Sequence, residues 1–311
     1  MQVHVLIPIF NDWESLNLLI NDINKSSISS TVNFLIVNDG SSEKPSKFFA
    51  KDSIDIIDLN QNLGHQRAIA IGLCYLTKKV KNDDVVLVMD GDGEDRARDM
   101  SLLIETSLKE DKIVFAKRKR RHEGMIFKGF YLVYQIIFRV LIGKTIDFGN
   151  FSSIPAKLLF RLTSDPNLWN HYSGSIIRSK LPFITLSIDR GKRYSGKSKM
   201  NLVSLVIHGL SAISVHLETV TVRIILFCFF SALVFTVSGL GILIAAGLKN
   251  TMYSATLLIV VVILLILVLS IAGISLMFTL NILLNRSRIQ NGPISFYKQF
   301  IYNCDCEDAS S

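Results

Sequence analysis

The chain has 311 residues, of which 49% are hydrophobic and 19% charged, and its formal net charge is +8. This composition excludes an intrinsically disordered chain, a collagen-like repeat and a small disulfide-built scaffold. The mean hydropathy of +0.38 is too high for an ordinary water-soluble domain, and the excess comes from long uncharged stretches near the C-terminus. The composition therefore predicts one globular domain joined to a membrane anchor.

The N-terminal part of the chain alternates between apolar runs and segments with helical spacing. Apolar runs that end at turn residues predict buried strands, and apolar residues three and four positions apart predict amphipathic helices. The predicted strands are Val3–Phe10, Phe34–Val37, Ile54–Leu59, Val85–Met89 and Ile113–Ala116, and the predicted helices are Trp13–Ile23 and Gly64–Tyr75. Such alternation indicates an α/β domain with a mostly parallel sheet and ligands at the carboxyl ends of its strands.

The C-terminal third contains the segments that raise the mean hydropathy. Residues 201–222 are apolar but include two histidines and a glutamate, which predicts amphipathic helices at a membrane surface. Residues 224–248 and 250–285 carry no charge, and each stretch can supply the roughly 20 apolar residues of a transmembrane helix. The short linker predicts a hairpin, and arginines on both flanks predict cytoplasmic ends.

Four regions follow from this pattern. The expected boundaries are 1–200 for the α/β domain, 201–222 for the amphipathic helices, 223–285 for the transmembrane hairpin and 286–311 for a cytoplasmic tail. We expect an integral protein of the inner or plasma membrane with the α/β domain and both termini in the cytoplasm.

Four acidic residues follow the fourth predicted strand: Asp90, Asp92, Glu94 and Asp95. Side chains two residues apart in an extended segment can point to the same side, so Asp90 and Asp92 can bind one cation together. Mg²⁺ and Mn²⁺ prefer such oxygen ligands and take the remaining ligands from water and substrate phosphates. An acidic surface loop is the alternative interpretation, and the spacing of a calcium-binding loop is not met.

Two further clusters follow other strands. Asp39, in the turn Asn38–Ser42, can accept hydrogen bonds from a base or a ribose, and a plain turn is the alternative. Gly64 opens the second predicted helix, whose N-terminus suits a phosphate, and a plain helix cap is the alternative.

Basic residues are concentrated in two places, Lys117–Arg121 and Arg190–Lys199. Such clusters suit the phosphates of a ligand or of lipid headgroups. Nucleic acid is not expected as a partner, because no nucleic-acid-binding motif accompanies them.

In ordered combination, these motifs resemble the family 2 inverting glycosyltransferases of GT-A fold, and more narrowly their polyprenyl-phosphate branch, which includes dolichol-phosphate mannose synthase and bactoprenol glucosyltransferases. The resemblance extends over about residues 1–285 and ends with the two apolar stretches. The matching segments are Pro8–Asp12, Val37–Ser42, Asn62–Gly64, Asp90–Asp92, Arg118 with Arg121, Phe130–Tyr131, Gly149–Phe151 and Arg193–Lys199. The implied fold is a GT-A nucleotide-sugar-binding domain.

The resemblance implies a role for each matching residue. It implies that the sugar donor is held by Pro8, Asp12, Asp39, Gly64, Asp90, Arg193 and Ser198, the last two over its diphosphate. It implies Mg²⁺ or Mn²⁺ on Asp90, Asp92 and Glu94, and an acceptor phosphate on Arg118, Arg121 and Lys128. The expected catalytic residues are Asp92, Asp95, Arg118 and Arg121.

The chain departs from the family pattern at two places. Asp12 stands where the family usually has Glu. After the metal motif, Gly93–Ala97 reads Gly-Glu-Asp-Arg-Ala where the family usually reads Leu-Gln-Asp-Pro-Pro. Glu94 therefore adds negative charge beside the expected metal.

The expected reaction is metal-dependent, inverting transfer of a sugar from a nucleotide-diphosphate donor to a polyprenyl phosphate, for lipid-linked sugar and envelope glycan assembly. A lipid phosphate with a second pKa near about 6 is largely ionised at neutral pH and needs no general base. Transfer to a hydroxyl of a lipid-linked or other glycan is the alternative, and it would need a carboxylate base, for which Asp95 is the candidate. A non-catalytic nucleotide-sugar-binding membrane scaffold is a third interpretation, and the sequence leaves self-association open.

Overall fold

The computed structural model describes residues 1–26, 31–43, 53–118, 125–195, 202–249, 252–286 and 291–305. The chain divides into two compact units. The first comprises Met1–Tyr134, Ile146–Val215 and Asn291–Ser311, and the second comprises Gln135–Thr145 and His216–Gln290. The expected site residues Arg121 and Ser198 lie outside the described residues.

The first unit is built on an eight-stranded mixed sheet. Its strands are β1 (Gln2–Ile9), β2 (Thr31–Asn38), β3 (Ile54–Leu59), β4 (Val85–Val88), β5 (Ile113–Arg118), β6 (Ser152–Pro155), β7 (Phe183–Ile188) and β8 (Ile301–Asp305). The order across the sheet is β7-β5-β6-β4-β1-β2-β3-β8. The β1–β2, β1–β4, β2–β3 and β5–β7 pairs are parallel, which confirms the expected α/β class with a mostly parallel sheet.

Helices cover both faces of this sheet. The helices of the chain are α1 (Trp13–Lys25), α2 (His65–Thr77), α3 (Met100–Glu110), α4 (Met125–Ile142), α5 (Leu159–Thr163), α6 (Tyr172–Ser179), α7 (Leu202–Ser214), α8 (Leu217–Lys249) and α9 (Met252–Arg286). Along β1, Val5 and Ile7 pack with α1 and α3, whereas Leu6 packs with α2. Burial on both faces explains why β1 reads as a continuous apolar run.

Residues 293–305 return to the sheet, whereas the sequence predicts a cytoplasmic tail over residues 286–311. Strand β8 pairs antiparallel with β3, and Tyr297 is buried against the core that surrounds α2. Apolar patterning did not reveal β8, because an edge strand leaves side chains such as Tyr302 exposed.

The second unit contains the two long apolar helices, which pack together. The spans Leu217–Ala245 and Ala255–Leu284 have mean hydropathies of 2.3 and 3.5, and both are long and apolar enough to cross a membrane. Helix α8 begins at Leu217, so the end of the segment expected to be amphipathic, residues 201–222, belongs to this long helix. In the first unit, α7 exposes Val203, Val206, Ile207 and Leu210 at the spacing of one helical face.

Candidate active site

The loop that follows β4, Asp90–Asp95, is called here the acid loop. It folds back on itself, because Asp90 N donates to Asp95 Oδ2 at 2.9 Å and Glu94 N donates to Asp92 Oδ1 at 2.9 Å. Gly93 permits this path, since its φ of +85° lies in a region that other L-residues rarely adopt. The loop therefore brings four carboxylates together at the carboxyl end of a central strand.

A second segment, Arg190–Tyr194, lies along the acid loop and is called here the basic segment. Gly191 N donates to Glu94 O at 2.8 Å, and Tyr194 N donates to Asp92 O at 3.0 Å. The approach is close, because a Cβ at Gly191 would overlap Gly93 O and a Cβ at Gly93 would overlap the Tyr194 ring. Backbone hydrogen bonds thus hold cationic side chains beside the acid loop.

The arginines of the basic segment form ion pairs with this loop. Arg193 Nη2 lies 2.6 Å from Asp92 Oδ2, and Arg193 Nη1 lies 3.5 Å from Asp12 Oδ2. Arg190 Nε donates to Glu94 Oε2 at 2.8 Å. These contacts place the expected residues Asp12, Asp92, Glu94 and Arg193 in one site.

Arg118, at the end of β5, reaches the same carboxylate from another element. Its Nη2 lies 3.6 Å from Glu94 Oε2. For the expected residue Lys128, the structure describes only the backbone, within α4. Among the described residues of the basic cluster Lys117–Arg121, it is therefore Arg118 that contacts the acid loop.

Asp39 is positioned beneath the turn that leads into α2. Its Oδ1 accepts from Leu63 N at 2.7 Å and its Oδ2 accepts from Gly64 N at 2.9 Å. Only 3% of the residue is exposed, and burial raises its pKa despite these two hydrogen bonds. Asp39 thus fixes the position of Gly64, which precedes the first residue of α2 and has a φ of +90°.

A histidine at the start of α2 also contacts the acid loop. His65 Nε2 lies 3.1 Å from Asp90 Oδ1 and 2.9 Å from Asn150 Nδ2. Burial favours the neutral form of Asp90, but the charge and hydrogen bond of His65, together with other nearby cations, outweigh burial and lower the Asp90 pKa. The sequence places Arg190 in a basic cluster and Tyr194 in a matching segment, but it does not predict their contacts or that of His65, because the partners lie far away in the chain.

The carboxylates of the acid loop repel one another. Burial, together with the negative charge of Asp90, raises the pKa of Asp92 to about 6. The same two causes, in the same order, raise the pKa of Asp95 well above its usual range. A bound cation would relieve this repulsion.

The carboxylates of the acid loop suit a divalent cation whose remaining ligands come from a substrate. Within the described residues, no group of three or more His, Cys, Asp or Glu side chains is arranged to hold a metal ion. Mg²⁺ and Mn²⁺ are commonly bound by one or two carboxylates plus phosphates, and Asp90 and Asp92 supply two partly exposed carboxylates. The chemistry of the loop therefore suits Mg²⁺ or Mn²⁺ in the presence of a phosphorylated ligand.

Solved structures with the same architecture define the fold class. Glucosyl-3-phosphoglycerate synthase from Mycobacterium tuberculosis in complex with phosphoglyceric acid has a TM-score of 0.53 and 16% identity, covering 70% of this chain and 80% of that chain. Its complex with Mn²⁺, uridine diphosphate and glucosyl-3-phosphoglycerate has a TM-score of 0.51 and 15% identity, with the same coverage. The fold is therefore GT-A-like.

The sequence match identifies the family. The model of Glycosyl transferase family 2 matches residues 4–167, which is more than half of the chain, so the chain belongs to that family.

The curated relatives match about half of the chain. The undecaprenyl-phosphate 4-deoxy-4-formamido-L-arabinose transferase of Salmonella choleraesuis (strain SC-B67) is 26% identical over 157 residues, which cover 48% of this chain and 46% of the relative. The uncharacterised glycosyltransferase YkcC of Bacillus subtilis (strain 168) is 25% identical over 170 residues, covering 51% and 50%. The chain spans about half the length of the curated relatives it matches.

Proposed function

We propose that the protein transfers a sugar from a nucleotide-diphosphate donor to a polyprenyl phosphate, with inversion at the anomeric carbon and with help from Mg²⁺ or Mn²⁺. The observation that carries this proposal is the meeting of the acid loop with Arg118, Arg190 and Arg193. A metal-binding carboxylate pair beside several cations suits a reaction in which a diphosphate departs. Membership of glycosyl transferase family 2 supports the sugar as the transferred group.

The mechanism follows from the charges of the site. Asp90 and Asp92 would hold the metal, which when bound neutralises negative charge on the departing diphosphate. Arg193, which contacts Asp92 in this structure, would exchange that carboxylate for the diphosphate, because both groups are anions. Asp12, which Arg193 Nη1 already approaches at 3.5 Å, would face the nucleoside side of the donor.

The choice of a phosphate acceptor is supported by the state of Asp95. This residue is only 7% exposed, and its Oδ2 already accepts the Asp90 N–H. Asp95 is therefore poorly placed to take a proton from an acceptor hydroxyl, whereas an ionised lipid phosphate needs cations and no base. Arg118, with Arg121 and Lys128, would supply those cations. The names of the curated undecaprenyl-phosphate transferases point to the same acceptor class.

The two apolar helices support a membrane location, which a lipid acceptor requires. We propose that they form a transmembrane hairpin and that the first unit works at the cytoplasmic face. Helix α7, with its exposed apolar side chains, would lie at the lipid surface.

The test is transfer from radiolabelled nucleotide sugars to undecaprenyl phosphate by the purified chain, followed by extraction into organic solvent. Asp92→Asn should lower the transfer rate by about 100-fold or more, because the metal that would neutralise the departing diphosphate loses a carboxylate ligand. Asp111→Asn is the matched control, since Asp111 is exposed, contacts Lys157 and has a positive φ that Asn also tolerates.

Three outcomes would contradict the proposal. Wild-type turnover in the Asp92→Asn variant would remove the metal role. A product stable to mild acid would favour a hydroxyl acceptor over a phosphate. Nucleotide binding without transfer to any acceptor would favour a non-catalytic scaffold.

A further inference from the structure

Glu94 contacts the protein's own cations. Its Oε2 accepts from both Nε and Nη2 of Arg190, and the Nε distance is 2.8 Å. Arg118 Nη2 lies 3.6 Å from the same oxygen. Hydrogen bonds between a charged guanidinium and a carboxylate are about twice as strong as those between neutral groups. The described contacts of Glu94 are therefore those of an ion-pair partner.

The backbone of Glu94 holds the same segment. Its carbonyl oxygen accepts from Gly191 N at 2.8 Å, next to the arginine that its side chain binds. Because Gly191 has no Cβ, the segment sits against Gly93 O at a distance that a larger residue would prevent. Glu94 is thus bonded to the basic segment through its main chain and its side chain.

The basic segment carries Arg193, whose position depends on how the segment is held. Arg193 lies between Gly191 and Tyr194, the two residues whose N–H groups bond to the acid loop. Its guanidinium contacts Asp92 and Asp12, the expected metal and donor residues. A loosened segment would therefore move the cation that is best placed to meet a diphosphate.

We propose that Glu94 is a positioning residue that forms an ion-paired latch with Arg190. The latch fastens the basic segment to the acid loop and holds Arg193 where a nucleoside diphosphate binds, so that Glu94 is not the third metal ligand that the family resemblance implies. The inference rests on the proposed function for the identity of the nucleoside diphosphate. The ion-paired latch itself is present in the protein without any bound ligand.

The latch predicts that Glu94→Gln changes diphosphate affinity in the opposite direction to the loss of a negative charge alone. Removing a negative charge beside a diphosphate would by itself strengthen anion binding. If Glu94 holds the basic segment, Glu94→Gln instead weakens that binding, because Arg193 loses its fixed position.

Hydrogen–deuterium exchange on the full chain in detergent micelles, without metal or nucleotide, tests the latch directly. In Glu94→Gln and in Arg190→Gln, the amides of Gly191 and Tyr194 should exchange about tenfold faster, equivalent to about 1.4 kcal/mol of local stability. The double variant should exchange no faster than either single variant, since both changes remove the same contact. The controls are Glu110→Gln, which removes an exposed carboxylate paired with Lys112, and Arg161→Gln, which removes a bond to Ser179 O.

Binding measurements separate the latch from a metal role. Mn²⁺ alone is titrated first, and then UDP in the presence of Mn²⁺, by calorimetry on each variant. The latch predicts unchanged Mn²⁺ affinity in both single variants and UDP affinity reduced about tenfold in both. Mn²⁺ affinity that falls in Glu94→Gln but not in Arg190→Gln would overturn the inference, as would unchanged amide exchange in either variant. If neither UDP nor any other nucleoside diphosphate binds the wild-type chain, the proposed function fails, whereas the exchange data still decide on the latch.

Discussion

At the scale of single residues, the sequence predicted which residues form the site better than it predicted which of them form ion pairs. Asp90, Asp92 and Asp39 stood out because polar residues followed apolar strands. The pairing of Asp92 with Arg193 did not stand out, because Arg193 lies 101 residues further along the chain. Sequence spacing encodes which residues share an element, whereas an ion pair between distant segments depends on how those segments pack.

Asp84 is another carboxylate whose contacts could not be predicted from the sequence. It lies just before β4, where it accepts hydrogen bonds from Gln2 N at 2.7 Å and Lys81 N at 2.8 Å, with His4 Nε2 at 3.7 Å. Burial opposes ionisation, but the two hydrogen bonds and His4 prevail and lower the pKa of Asp84. The ionised carboxylate is therefore favoured by the folded state.

We expect Asp84→Asn to reduce thermal stability near pH 7, with a penalty that shrinks as the pH falls. A carboxylate with a lowered pKa in the folded state stabilises the fold above its unfolded pKa, and that contribution is lost as the pH falls through the folded pKa. Melting temperatures of both proteins between pH 7 and pH 3 test this expectation. A stability difference that stays constant over the range would contradict it.

At the scale of elements, strand composition decided what could be predicted. Strands β1 to β5 were predictable because they are apolar runs closed by turn residues. Strand β6 was not, since Ser-Ser-Ile-Pro does not resemble a buried strand, yet it is buried between β4 and β5. Its environment comes from tertiary packing, which overrides local propensity.

The returning C-terminal residues provide a prediction about element packing. Tyr297 is 2% exposed and packs into the core around α2, whereas Tyr302 in β8 is 82% exposed. Tyr297→Ala should destabilise the first unit by about 3 kcal/mol, in the range found for large buried aromatic residues. Tyr302→Ala, the control, should change stability by less than about 0.5 kcal/mol. Thermal unfolding of the full chain in detergent measures both, and equal losses would refute this account of the return segment.

At the scale of the whole molecule, the sheet constrains the topology of the chain. Strands β3 and β8 are neighbours in one sheet, although both long apolar helices lie between them in sequence. In the proposed membrane location, the chain would have to cross the membrane an even number of times between these strands. Two crossings, one for each of α8 and α9, satisfy this condition.

A membrane-impermeant lysine reagent tests this topology on the unaltered protein. Lys109 and Lys298 are both exposed, and they lie before and after the apolar helices. Both should be protected in intact cells and modified in inverted membrane vesicles, as read by mass spectrometry. Modification of one lysine in intact cells and of the other only in inverted vesicles would contradict the pairing of β8 with β3.

The same strand pairing has a consequence for biosynthesis. A ribosome makes β3 early, but the residues that cover its free edge emerge only after α8 and α9 have been translated. The open edge of β3 is a potential site of aggregation until then. Completion of the sheet must therefore await synthesis of both hydrophobic helices, which places the last step of folding of the first unit at the end of translation.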